Sequence, residues 1–141
     1  MSEVRGFTRA IGGITRMRER ARDPREALAS AAEIAGESIR RNFEVGGRPK
    51  WKPHAESTRR SVYGPSRLLI RSGALENSFT PFVTRRTAGQ RSRLVYGPRQ
   101  NWGFPGGPGR GHSPTPARTF AVFQPEDGEQ IAGVMLDHVV K

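Results

Sequence analysis

The residue types that most often do chemistry are few in this chain and are not spaced for a common site. The three histidines, His54, His112 and His138, lie far apart and lack the short spacings of metal ligands. No paired carboxylates, nucleophile motif or H-E-x-x-H sequence occurs, and the absence of cysteine excludes thiol chemistry. We therefore expect no catalytic residue, no metal and no cofactor. An enzyme would be indicated only by a metal or cofactor that co-purifies.

The glycine-rich tract 103–111 does not predict a nucleotide site. It does not lead from a strand into a helix at phosphate-loop spacing, and it lacks the closing Gly-Lys-Ser/Thr. His138 falls on the apolar face of a predicted helix, where we expect a partly buried residue at the edge of the core. The carboxylates fall in predicted helices as capping or solubilising charges: Glu26, Glu33, Glu37, Glu44, Asp127 and Asp137.

Charge is the strongest compositional feature. Twenty-four Lys and Arg stand against 13 Asp and Glu, a net charge of +11, and the arginines are spread over the whole chain. Such a field favours polyanions, either nucleic acid or acidic protein surfaces. Net charge alone does not distinguish a protein that binds DNA from one that lies beside DNA. A basic nucleic-acid-binding module without enzymatic activity is therefore an alternative, supported by the interleaved Trp51, Tyr63 and Trp102.

Length and composition predict one α+β domain. The chain has 141 residues, of which 34% are hydrophobic, with 17 Gly and 11 Pro. We expect a small, mostly antiparallel sheet flanked by helices, with long Pro/Gly-rich projecting loops. No apolar run reaches signal or transmembrane length, so we expect no membrane partner. The predicted segments are an N-terminal helix (1–22), a long helix (23–45), an extended arm (46–67), a sheet region (68–123) with a long loop (97–117), and a C-terminal helix (124–141).

The helix boundaries follow from capping signals. Asp23-Pro24 predicts the start of the long helix, with Glu26 completing a capping box, and Gly46 predicts its end. Gln124-Pro125 predicts the start of the last helix. In the first helix, Gly12-Gly13 is expected to interrupt the apolar periodicity.

The sheet is predicted from β-prone runs. Phe79–Thr84 and Arg93–Tyr96 form a hairpin through a loop at 85–90, and Phe120–Phe123 adds a strand. Residues 97–117 are expected to be irregular.

The segment Gly46–Pro53 is predicted to be a stiff docking arm. Its glycine pair permits a reversal after the helix, and Pro49 and Pro53 favour extended backbone around Trp51. Arg118 falls on an extended segment, either in an ordinary edge-strand ion pair or anchoring the long loop to a partner subunit. The candidate subunit-interface residues are Pro49, Trp51, Pro53, Trp102, Phe104, Arg118 and Phe120.

Four sequence segments occur in a characteristic order. They are Gly46-Gly47-Arg48-Pro49-Lys50-Trp51-Lys52-Pro53, Leu69 to Ser78 with Ser72-Gly73-Ala74-Leu75, Tyr96 with Gln100-Asn101-Trp102-Gly103, and Pro116-Ala117-Arg118-Thr119-Phe120. This series resembles the phage virion morphogenesis family of tailed phages, prophages and Mu-like elements, whose members complete the tail or join it to the head. His54 stands where leucine is usual, and Ser72 replaces a threonine.

The resemblance implies a structural virion protein of the neck or upper tail, made in the bacterial host cytoplasm. It implies a ring of copies, commonly a hexamer, that contacts connector proteins and the tail tube or tail terminator proteins. Double-stranded DNA would pass through the ring. The arginines expected to face this lumen, or alternatively a solvated outer surface, are Arg85, Arg86, Arg91 and Arg93. Under this interpretation Trp51→Ala should impair assembly more than folding of the monomer.

Overall fold

The computed structural model describes residues 2–60, 68–70, 72–109 and 113–141. Within these ranges the fold is α+β, as predicted, with helices around one small antiparallel sheet. The helices are α1 (Ser2–Arg22), α2 (Arg25–Val45), α3 (Glu56–Arg59), α4 (Gly97–Trp102) and α5 (Pro125–Val140), with a 3₁₀ turn at Glu76–Ser78. The strands are β1 (Thr80–Val83) and β2 (Ala88–Arg91). The expectations for Tyr63 and the rest of 61–67, for Arg71, and for His112 within 110–112 fall outside the described residues.

Helix α2 is the element on which the sheet and α5 pack. Its inward face carries small residues, of which Ala31, Ala32 and Ala35 are buried as the sequence predicts. This allows close approach, and the Gln90 side chain from β2 donates a 2.7 Å hydrogen bond to the carbonyl of Ala32. A Cβ at Gly36 would lie 2.7 Å from the Gln90 amide nitrogen, so a larger residue there would displace the end of the Gln90 side chain.

The ends of α2 and α5 lie close to the predicted positions. Asp23 accepts hydrogen bonds from the backbone and side chain of Arg25, but the expected capping box with Glu26 does not form. Gly46, in the left-handed conformation at φ 75°, ends α2. A capping box instead begins α5, where the backbone N–H of Gln124 donates to the Asp127 carboxylate at 2.8 Å.

The predicted N-terminal helix (1–22) corresponds to α1, which runs from Ser2 to Arg22 through Gly12-Gly13. The predicted second strand is displaced. The chain reverses early because Thr84 and Thr87 close a tight turn, with the Thr84 N–H donating to the Thr87 carbonyl at 2.7 Å. The strand paired with β1 is therefore 88–91, and Arg93–Tyr96 is not a strand.

Two further expectations for the sheet region are corrected. Residues 97–102 form helix α4 within the predicted irregular loop, with a proline in its first turn. Phe120–Phe123 is not a strand, because the N–H groups of Phe120 and Ala121 donate to the Asn101 side chain rather than to a neighbouring strand.

The core lies at the C-terminal half of α2. Its buried members are Ile39, Phe43, Trp51, Leu75 and Phe120, and the aromatic rings are in direct contact. The Phe43 ring centroid lies 5.6 Å from that of Trp51 and 5.3 Å from that of Phe120. Aromatic burial of this kind contributes heavily to the stability of a small domain.

Candidate functional site

The four segments that carry the family resemblance meet at one place, which we call the motif junction. It comprises residues 46–53, 72–78, 96–103 and 116–120, packed beside the C-terminal end of α2. Leu75 from the second segment is buried against the first and fourth, in the cluster that holds Trp51 and Phe120. The junction is built from contacts between residues distant in sequence.

Trp51 belongs to the interior of the motif junction. Only 7% of the residue is exposed, and its indole N–H donates to the carbonyl of Thr119 at 3.1 Å. Gly47 makes room for the ring, since a Cβ there would lie 2.4 Å from the indole and 2.6 Å from the Pro49 carbonyl oxygen. Gly47 also has φ 97°, where glycine is favoured. The 46–53 segment thus folds back on its own domain.

Arg118 fastens the first segment to the fourth. Its Nε donates to the carbonyl of Lys52 at 3.0 Å and its Nη2 to that of Pro53 at 3.1 Å. The backbone N–H of Arg118 donates to the carbonyl of Gln100, which adds the third segment. Burial lowers the pKa of the Arg118 guanidinium, but its ordinary value is so high that the group stays charged at neutral pH.

Asn101 provides the second link between the third and fourth segments. This side chain is almost fully buried, and its Oδ1 accepts from the N–H groups of Phe120 and Ala121, each at 3.0 Å. Gly103 follows at φ 78°, where a Cβ would lie 2.8 Å from both the Ala117 nitrogen and the Thr115 oxygen. The third segment is therefore locked against the fourth.

A polar network on Arg48 connects the junction to α2 and α5. Its Nε donates to Asn42 Oδ1 at 2.8 Å, and its Nη2 donates to the Ser38 carbonyl and hydroxyl. Ser38 in turn donates to the buried carboxylate of Asp127. Sequence reasoning missed this network, although Arg48 stands inside the Gly-Gly-Arg-Pro motif.

The buried polar groups of the motif junction are used in hydrogen bonds within the chain. In the described part of the chain, every buried side-chain nitrogen or oxygen has a hydrogen-bond partner. Nor do the described residues contain a group of three or more His, Asp or Glu arranged to hold a metal ion. The junction is a scaffold that fixes the loops around it.

Three of the predicted interface residues lie in the interior of the protomer. Trp51, Arg118 and Phe120 were expected to contact a neighbouring subunit, but each is buried, at 7%, 8% and 3% exposure, against its own chain. Their packing and their hydrogen bonds are used within the protomer, and a contact of these residues with a neighbouring subunit stays a prediction. Arg118 is in no ion pair with another described residue, so the edge-strand ion pair is not seen there.

The other four interface candidates remain predictions. Pro49 and Pro53 are exposed, and Trp102 is 74% exposed on α4. Phe104 is half-buried beneath the Arg99 guanidinium, whose central carbon lies 4.4 Å from the ring centroid.

The predicted lumen arginines lie on and beside the β-hairpin. Arg85 and Arg86 form its tip, Arg91 ends β2 and Arg93 follows it. All four are exposed, and none is in an ion pair with another described residue. The hairpin therefore presents a concentrated positive charge to solvent.

His138 is partly buried, as expected, but it lies beside the α1–α2 connection and not beside the aromatic core. Its Nε2 is 3.2 Å from the carbonyl oxygen of Arg20 and 3.0 Å from that of Asp23. It links α5 to the junction of α1 and α2.

Among the described helices, none has both the length and the apolar character that crossing a bilayer requires.

Comparison with known proteins adds no relative. No protein-family model, curated protein or solved structure matches the chain.

Proposed function

We propose that this chain is a structural virion protein that completes a phage tail or joins it to the head–neck. Its copies would form a hexameric ring around the DNA passage, between the connector and the tail tube or tail terminator proteins. The protein acts mechanically and has no catalytic role.

The observation that carries the proposal is the convergence of the four motif segments. The four segments are far apart in the sequence, so no local secondary structure requires them to occur together. The motif junction supplies a physical reason, because Trp51, Arg118 and Asn101 bond the first, third and fourth segments to one another. Leu75 packs the second segment against them. A motif series that is also a structural unit supports the resemblance more strongly than any one motif does.

The surface around the motif junction suits a ring subunit. The junction holds exposed Pro49, Pro53 and Trp102 on a fixed base, and exposed tryptophan is a common anchor of protein interfaces. The hairpin tip carries Arg85 and Arg86, which would favour the phosphates of passing DNA without reading its sequence.

The direct test is the position of the protein in a particle. Purified phage or prophage particles would be imaged by electron microscopy with this subunit labelled, and particles lacking it would be imaged beside them. We expect label at the neck or upper tail, and unjoined heads and tails in its absence. Label on the capsid shell or the tail fibres, or normal particles without the protein, would refute the proposal.

The exposed arginines also favour the second candidate, a dedicated nucleic-acid-binding module. Binding to duplex DNA would be measured over a salt series for the native chain, for Arg85→Gln/Arg86→Gln, and for the matched pair Arg40→Gln/Arg41→Gln on the exposed face of α2. A ring subunit should bind weakly, with a log–log slope equal to a few phosphates at about −0.9 each. The hairpin variant should lose about two of these contacts and the α2 variant none. Tight, sequence-selective binding near physiological salt would favour the dedicated binder.

A further inference from the structure

Helix α1 exposes an apolar stripe that nothing in the described chain covers. Phe7, Ile11 and Ile14 recur at helical spacing and are 70%, 49% and 66% exposed. Arg18 lies one turn after Ile14 on the same face of the helix and is also exposed. The contact of α1 with its own α5 lies elsewhere, toward its C-terminal end, where Arg20 meets His138. A stripe of this size on a projecting helix is typical of a surface that binds another protein.

Helix α5 has a second face of the same dimensions. Glu129, Gly133, Leu136 and Val140 lie along its solvent side, and Leu136 and Val140 are 64% and 54% exposed. Apart from its chain neighbours and its own helix backbone, no described atom lies within 4 Å of a Cβ built on Gly133, so this position is an open notch.

The two faces share one spacing. Phe7, Ile11, Ile14 and Arg18 are separated by four, three and four residues, and so are Glu129, Gly133, Leu136 and Val140. Each set covers about 16 Å of helix, at about 1.5 Å of rise per residue.

We propose that α1 of one copy packs antiparallel on α5 of the next copy. In that direction Arg18 meets Glu129, Ile14 enters the notch at Gly133, Ile11 meets Leu136 and Phe7 meets Val140. The parallel direction would instead bury Phe7 against Glu129. The inference rests on the self-assembling part of the proposed function and names the contact that forms the ring.

Charge complementarity favours α5 of another copy as the partner that covers the apolar stripe of α1. Helix α1 carries six arginines against two glutamates, a net +4, so pairing two α1 helices would oppose like charges. The exposed side of α5 carries Glu126, Glu129 and Asp137. Glu126 is paired with Arg48 and Asp137 with Lys141, whereas Glu129 and Arg18 are in no ion pair within the described part of the chain. These two charges are available to each other.

The contact joins different surfaces on the two copies, which has a geometric consequence. Heterologous contacts repeat from copy to copy and close into a ring when the rotation allows it. Loss of either face should stop assembly, but each single-face variant keeps the other face intact.

The test measures assembly of the native chain and two neutral double variants by sedimentation velocity. These are Ile11→Gln/Ile14→Gln on α1 and Leu136→Gln/Val140→Gln on α5, all exposed positions in the protomer. The native chain should form oligomers, and each variant should need about tenfold or more higher concentration. An equimolar mixture of the two variants should form a one-to-one dimer and nothing larger.

Charge reversal tests the direction of packing. Arg18→Glu and Glu129→Arg should each weaken assembly, and the chain carrying both should regain it. Arg9→Glu changes charge equally on the opposite side of α1, and Glu33→Lys reverses an exposed charge on α2. Both should assemble as the native chain does.

The outcomes separate this inference from the proposed function. Variants that assemble normally while the native chain forms oligomers would overturn the α1–α5 contact and leave the virion role standing. A mixture that stays monomeric, or a double charge reversal that restores nothing, would overturn the antiparallel pairing. A native chain that stays monomeric at all concentrations would also overturn the contact, while the position of the protein in the particle would still test the virion role.

Discussion

The indole N–H of Trp51 donates to the carbonyl oxygen of Thr119 across 3.1 Å, and this bond joins segments 68 residues apart. Neither Trp51 nor Thr119 lies in a helix or strand, so the Thr119 carbonyl does not accept from a regular backbone ladder. The bond is therefore part of what holds the end of α2 to the segment before α5. Trp51 therefore contributes to the stability of the protomer itself.

Trp51→Ala should destabilise the monomer by about 3–5 kcal/mol, because it removes a buried aromatic ring and leaves a cavity. Trp51→Phe keeps most of the packing and should lose less, including about 1 kcal/mol for the hydrogen bond. Urea unfolding followed by circular dichroism measures both changes. This reverses the sequence-based expectation of an effect mainly on assembly. A Trp51→Ala protein of unchanged stability that fails to assemble would restore it.

Arg118→Lys should cost about 1–3 kcal/mol, since one ammonium cannot reproduce the paired bonds to the carbonyls of Lys52 and Pro53. Arg86→Lys, at the exposed hairpin tip, is the matched control and should change stability by less than about 0.5 kcal/mol. Thermal unfolding of both proteins makes the comparison. Equal effects of the two substitutions would argue against a structural role for Arg118.

Asn101→Ala should cost about 1–3 kcal/mol for each N–H left without an acceptor, at Phe120 and Ala121. Amide hydrogen exchange at these two residues should accelerate in the variant. Asn77→Ala removes an exposed amide and serves as the control. Protection at Phe120 and Ala121 that survives the loss of Asn101 would show that another group accepts their bonds.

Asp23 should titrate near pH 2. The Arg25 side chain donates to its carboxylate and lowers the pKa from its usual 3.8 to about 2, with smaller charge effects from Arg25 and His138. Because the folded pKa lies below the unfolded one, the stabilisation is present above pH 3.8 and is lost as pH falls to about 2. In Arg25→Gln the Asp23 pKa should return toward 3.8. NMR titration of the carboxyl carbon measures both proteins, and an unchanged pKa would contradict the assigned cause.

Local signals in the sequence predict the main helices. The strand at 93–96 was predicted wrongly because its conformation depends on long-range contacts. Asp23-Pro24, Gly46 and Gln124-Pro125 act within one helical turn, so their positions predict where α2 and α5 begin or end. The β-prone run 93–96 looks like a strand locally, but Leu94 packs against the core instead. Only the tertiary structure reveals this.

The candidate site shows the same division. The motif series identifies residues that matter, including Trp51 and Arg118, because their types and order are visible in the sequence. Whether each faces its own chain or another copy depends on contacts across more than 60 residues. The proline-flanked segment 46–53 looks like a projecting arm in the sequence. The structure shows that its carbonyl groups accept hydrogen bonds from Arg118 in the same chain.

The crowding at Gly47 sets a rule for sequence divergence. A methyl group there would overlap both the indole and the Pro49 carbonyl oxygen, so a smaller residue at position 51 would relieve only one of the two overlaps. A descendant of this chain that keeps this turn must therefore keep glycine at 47, whereas position 51 is free to take a smaller residue at a cost in packing. Loss of the glycine would mark a chain in which the turn itself has changed.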